Sequence, residues 1–243
     1  MEKPKGEGDW SKILTAGGGL IAAFAALLTA LNAIGVIGRQ AASPTATPVV
    51  PRETPTATAL LVRVEDDFSD PTTGWDIGAD SDAEWGYQDG EYRILVHSTE
   101  LVVWANPHER YDLANLAVVV EARSVSGPVD NEYGVIIRYV DRSNYYLFTV
   151  SSDGMCNVRR IREDVWYTLE PWAPSSAVRQ GQATNLLRVE ARGTEFKFFA
   201  NDELLTTVKD ATFASGSFGL AASTFAEGEV QVRFDNLLVR ELP

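Results

Sequence analysis

The groups in this chain of 243 residues that could do chemistry are few and scattered. Its two histidines, His97 and His108, have no cysteine or carboxylate at metal-ligand spacing, so zinc is not expected. The one cysteine, Cys156, rules out an intrachain disulfide and reads as a buried, inert thiol in a strand. Ser215-Gly216-Ser217-Phe218-Gly219 lacks the leading glycine of a nucleophile elbow, and Gly17-Gly18-Gly19 sits inside an uncharged apolar run where no phosphate is cradled. Two acidic clusters remain. Asp80-Ser81-Asp82-Ala83-Glu84 sets three carboxylates on alternate residues but lacks the glycine and loop length of an EF-hand, so it reads as a solvated loop. Asp130 and Glu132 flank a predicted hairpin and read as a solvated rim. No catalytic residue is assigned.

Binding is better served than catalysis. A pyranose packs its C–H side on an aromatic ring and needs a few planar hydrogen-bonding groups beside it. Trp104 and Trp172 stand at the ends of predicted strands, each just before an Xaa-Pro pair, where rings tend to be exposed. Arg138 is the odd polar residue in an otherwise apolar strand, on the face of Gly134 and Ile136. It is either paired in the core or presented on an open sheet to a ligand. The candidate ligand-binding residues are Arg138, Tyr133, Tyr139, Tyr145, Trp104 and Trp172, with core packing as the competing reading.

These residues need a sheet to position them, and the chain supplies one. From Leu61 onward hydrophobicity alternates with period two. About fourteen short strands are predicted, with turn signals at Asp89-Gly90, Gly127-Pro128, Asp153-Gly154, Arg192-Gly193, Asn201-Asp202 and Ser215-Gly216. Asn131 to Gly154 carries the clearest hairpin. So many strands without a long amphipathic helix predict two packed antiparallel sheets. The formal charge of −13 is concentrated here, since residues 61–243 hold 16 Lys/Arg against 30 Asp/Glu. A surface that acidic is unsuited to nucleic acid, which is held by cations that displace condensed counterions.

The first 60 residues differ in kind. After a short tail, 1–12, residues 13–38 form 26 consecutive uncharged positions, about 39 Å as a helix and enough to cross a ~30 Å hydrocarbon core. A single-pass cell-membrane anchor is expected, with Lys3, Lys5 and Lys12 favouring an inner amino terminus and an extracytoplasmic β-domain. Cleavage as a signal peptide is the alternative. Gly18, Ala22, Ala26 and Ala30 make a small-residue stripe through which a homodimer could form. Residues 39–60 repeat proline and threonine and are expected to be an extended linker.

Several stretches resemble one superfamily. They are Asp66-Asp67-Phe68-Ser69-Asp70-Pro71 with Gly74-Trp75, the Asp89-Gly90-Glu91-Tyr92 hairpin, Tyr133-Gly134-Val135, and Asn144-Tyr145-Tyr146-Leu147-Phe148. Phe199-Ala200-Asn201-Asp202-Glu203-Leu204-Leu205 and Phe234-Asp235-Asn236-Leu237-Leu238-Val239 complete them. Over about residues 65–242 the chain is similar to the concanavalin A-like lectin/glucanase superfamily, especially to 3-keto-disaccharide hydrolase-like domains. The resemblance implies an all-β, two-sheet antiparallel jelly-roll sandwich over residues 61–243. Laminarinase-like members carry Glu-x-Asp-x-x-Glu on one strand, because alternation aims both carboxyls into the cleft; this chain has no such string. Glu65-Asp66-Asp67-Phe68-Ser69-Asp70 comes nearest but ends in Asp. The resemblance also raises a structural calcium between first and last strands, at Asp67 and Asp235; no other cofactor is expected. A membrane-anchored module that binds carbohydrate or another surface ligand without catalysis is the expected function. A hydrolase of disaccharides or related sugars with an atypical site, and a structural or sensory interaction domain, are its rivals.

Overall fold

The computed structural model describes residues 61–243, and every regular element in it is a strand. The strands are β1 (Leu61–Asp66), β2 (Gly78–Ala79), β3 (Ala83–Gln88), β4 (Glu91–Val96), β5 (Val102–Ala105), β6 (Leu116–Ser126), β7 (Asn131–Asp141) and β8 (Asn144–Val150). They continue with β9 (Met155–Arg162), β10 (Val165–Pro174), β11 (Asn185–Arg192), β12 (Glu195–Ala200), β13 (Glu203–Lys209), β14 (Ser217–Thr224) and β15 (Val230–Glu241). Two antiparallel sheets result. One has nine strands in the order β13-β12-β11-β6-β15-β4-β3-β2, with β1 also on β15; the other has six, in the order β10-β9-β8-β7-β14-β5. The expected all-β, two-sheet antiparallel sandwich is therefore the fold. The predicted anchor 13–38, the linker 39–60 and the Gly18–Ala30 stripe lie outside the described residues. Among the described residues no helix is long and apolar enough to cross a membrane.

Turn chemistry sets the registers. Asp89 and Gly90 both take positive φ, 56° and 79°, as a two-residue hairpin matched to strand twist requires, and they pair Gln88 with Glu91. Asn201 and Asp202 do the same between β12 and β13. Glu163 and Asp164 form an equivalent turn between β9 and β10 that no glycine or asparagine announces. Beyond it β10 runs on through Pro171 to Pro174. This is possible because β10 is an edge strand with two bulges, so a missing donor leaves no ladder bond unmade.

Alternation then sorts each strand of the six-stranded sheet. Tyr133, Val135 and Ile137 of β7, Tyr146, Phe148 and Val150 of β8, and Phe218, Leu220 and Ala222 of β14 enter the core between the sheets. There they meet Phe196 and Phe198 of β12, with Tyr146 and Phe196 rings 4.7 Å apart and Phe148 and Phe198 rings 5.8 Å apart. The alternate residues Ile136, Tyr145, Leu147, Ile161 and Ala221 form a separate cluster with Trp104 and Tyr139 on the opposite, outer face. At one corner Asp66 accepts the Trp75 indole N–H at 3.1 Å and the Phe68 amide at 2.8 Å, and Phe68, Trp75, Tyr87 and Tyr92 pack ring to ring.

Candidate functional site on the outer face of the six-stranded sheet

Of the six residues predicted to bind ligand, the fold brings three to one outer-face row and turns two inward. Trp104, on β5, and Tyr145, on β8, have two strands between them, yet their rings are 5.8 Å apart. On the intervening strands β14 presents the small residues Gly219 and Ala221, Ile136 of β7 packs in the same cluster as the two rings, and further along β7 Gly134 faces Thr149. Gly134 has no alternative: a Cβ on it would lie 2.1 Å from the Phe148 carbonyl oxygen. Tyr139 extends the row, 5.9 Å from Tyr145, whose phenol is pushed up in pKa chiefly by burial. Trp172 arrives from β10 and meets Phe225 edge-on at 6.0 Å.

Arg138 and Tyr133 are corrections. Arg138 adopts φ 48° at a point where β7 slips register against both β8 and β14, and this bulge breaks the alternation that put it with Gly134 and Ile136. Its side chain turns into the sandwich, with the residue 1% exposed, and stacks 4.7 Å from the Phe196 ring. The guanidinium donates to the carbonyls of Phe213 at 2.7 Å, Ala114 at 2.8 Å and Gly193 at 2.6 Å, and burial lowers its pKa. It ties three loops together and presents nothing to a ligand. Tyr133 is fully buried on the core side, where its hydroxyl accepts from Asn185 Nδ2 at 3.0 Å and burial pushes its pKa up to about 12.

Glu132 is the third correction. Strand β7 begins at Asn131, so Glu132 is a sheet residue, 1% exposed on the outer face, and no rim. Its Oε1 accepts from the Thr149 hydroxyl at 2.5 Å and from the Arg159 guanidinium. The Thr149 hydroxyl also lies 2.6 Å from the Asn157 side-chain oxygen position. One proton cannot serve both, so the consistent arrangement has the Asn157 amide N–H donating to Thr149 and Thr149 donating to Glu132. Arg159 stacks 4.4 Å from the centre of Trp166, a ring on the exposed rim of β10. Trp166, Ile161 and Tyr145 sit opposite one another on β10, β9 and β8. The outer face thus has an aromatic side, Trp166, Tyr139 and Trp104 beside a buried Tyr145, and a polar side, Asn157, Thr149 and Glu132, all buried, with the partly exposed Arg159. Of the second set only Glu132 was singled out in the sequence, and as a solvated rim; for the others the one available signal was the polar, alternating Asn157-Val158-Arg159 within an otherwise readable strand.

Several of the acidic side chains are tied into local hydrogen bonds. Asp67 Oδ1 accepts from the amide and hydroxyl of Ser69, at 3.0 and 2.6 Å, bonds that lower its pKa. Asp235 sits at a bulge of β15, where burial, followed by its neighbours Glu91, Glu121 and Asp67, raises its pKa. Among the described residues no group of three or more His, Cys, Asp or Glu side chains is gathered to hold a metal. Asp80 accepts the amides of Asp82 and Ala83, and Asp82 accepts the Ser98 hydroxyl. Burial raises the Cys156 thiol, which is free and enclosed.

Comparison with solved structures places this architecture among jelly-roll sandwiches. A carbohydrate-binding module, CBM66, from Bacillus subtilis superposes with a TM-score of 0.56 at 16% identity, over 70% of this chain and 96% of that one. A β-glucanase from Bacillus licheniformis gives 0.55 at 9% identity, over 76% and 100%. A protein of unknown function with a galectin-like fold, also from Bacillus subtilis, gives 0.56 at 8%, over 74% and 96%. At such identities the likeness establishes the fold. No protein-family model and no curated protein matches the sequence.

Proposed function

We propose that the β-domain binds carbohydrate on the outer face of its six-stranded sheet without turning it over, at the cell surface, held by the apolar segment 13–38 through the linker 39–60. The observation that carries the reading is the division of that face into a ring-lined side and a hydrogen-bonding side. A sugar divides in the same way, into C–H faces and hydroxyl edges. The fold neighbours add support, since both a carbohydrate-binding module and glycan-cleaving enzymes share the architecture. Hydrolysis is disfavoured by the sequence, which lacks the Glu-x-Asp-x-x-Glu string that sets two carboxyls in one cleft.

The test is retention of the full-length protein, in detergent, on immobilised polysaccharides, followed by assay of the bound glycan for new reducing ends. Retention without new ends is expected. Failure to bind any polysaccharide would remove the reading, and new reducing ends would replace it with the hydrolase.

A further inference from the structure

Glu132 and Arg159 form an incomplete pair. One Arg159 Nη meets Glu132 Oε1, while the other carboxylate oxygen, Oε2, and the Arg159 Nε are both buried with no hydrogen-bond partner. An acceptor without a donor and a donor without an acceptor therefore occur on the same two side chains. Leaving either so is costly in a buried setting, where water does not compensate. We infer that this pair is the hydroxyl-reading element of the site, and that it selects a neutral sugar. The inference rests on the carbohydrate-binding reading above.

The chemistry follows from what each orphaned atom needs. Oε2 requires a proton donor and Nε–H requires a lone pair; an alcohol hydroxyl supplies both from one oxygen. A carboxylate ligand would satisfy Nε–H but oppose Oε2, and an ammonium would do the reverse. Because the two residues already cancel each other's charge, the element offers no net field to a charged ligand. The rest of the domain, at 16 basic against 30 acidic residues, repels polyanions. Trp166 gives the sugar its apolar contact: it is 43% exposed and touches Arg159. The Arg159 side chain is 17% exposed against 1% for Glu132, so the guanidinium is the more accessible partner. Thr149 holds Oε1 and is itself hydrogen-bonded to Asn157, which fixes the carboxylate.

The experiment uses the full-length chain with three neutral polysaccharides, a β-glucan, a galactan and a fructan, and one acidic one, polygalacturonate. Affinity is measured for the parent, Glu132→Gln, Arg159→Lys and Trp166→Ala, alongside each thermal midpoint. A hydrogen bond to a charged group is lost in Glu132→Gln, so affinity for the neutral glycan that binds should fall about tenfold or more. Trp166→Ala, at an exposed rim position, should weaken binding similarly with an unchanged midpoint. Polygalacturonate should bind none of the proteins. If a neutral glycan binds the parent and all three variants equally, the pair is structural and the inference fails while carbohydrate binding stands. Preference for polygalacturonate also overturns it, and failure of the parent to bind anything overturns both.

Discussion

At the scale of single residues, the physics of burial reassigns the most conspicuous side chain. Arg138 is enclosed, and three backbone carbonyls and one ring hold its charge. Removing a buried, hydrogen-bonded charge strands its partners, so Arg138→Ala should destabilise the domain by about 3 kcal/mol or more. Urea unfolding measures this. Glycan affinity of the folded fraction should stay at the parent value, because the side chain faces away from the outer sheet surface. Asp235 offers the opposite sign. Its raised pKa means the ionised form is disfavoured by folding, so its contribution is present at low pH and disappears as pH rises through the folded pKa. Asp235→Asn keeps an oxygen for the Asn236 amide and should raise stability at pH 7 by about 0.5 kcal/mol. A lower midpoint than the parent's would contradict that account.

At the scale of elements, small residues and bulges decide what the sheet presents. Gly134 lets β7 lie against β8 where a Cβ would strike the Phe148 carbonyl oxygen. Gly134→Ala places a methyl against backbone, which no rotamer relieves, and should cost about 2 kcal/mol or more in thermal or urea unfolding. A neutral result would mean the strands separate easily at that point. The junction of β4 with the turn before β15 is electrostatic. His97, on the residue after β4, faces Glu229 and Glu84, which raise its pKa. Stabilisation from a raised histidine is complete below its unfolded pKa of about 6.5 and lost as pH climbs through the folded value. The melting temperature of the parent relative to His97→Gln should therefore shrink between pH 6 and pH 8; a constant difference would point to packing instead.

At the scale of the whole molecule, the proposed division of labour separates attachment from recognition. Full-length protein should sediment with membranes and resist extraction at high pH, whereas a chain starting at Leu61 should remain in the supernatant. Identical partitioning of the two would dissociate residues 13–38 from attachment. The acidity of the domain bears on its partners at this same scale, since a net −14 over residues 61–243 leaves polyanions unfavoured whatever the local site contains.

Much of this was written in the chain itself. Period-two alternation and the turn residues Asp89-Gly90 and Asn201-Asp202 dictated strands and hairpins, because side-chain burial and positive φ are local demands. The antiparallel sandwich and the aromatic stretch around Tyr145 followed from them. The tertiary structure decided the face on which individual side chains fall. Arg138 changes sides through a bulge at a residue type that rarely takes φ 48°, a conformation imposed by the strands on either flank. Glu132 enters the sheet because pairing with Ser223 extends β7 past its apolar run, and Arg159 becomes its partner because β9 lies one strand beyond β8. Residues 27 positions apart meet there, and period and propensity carry no information at that range.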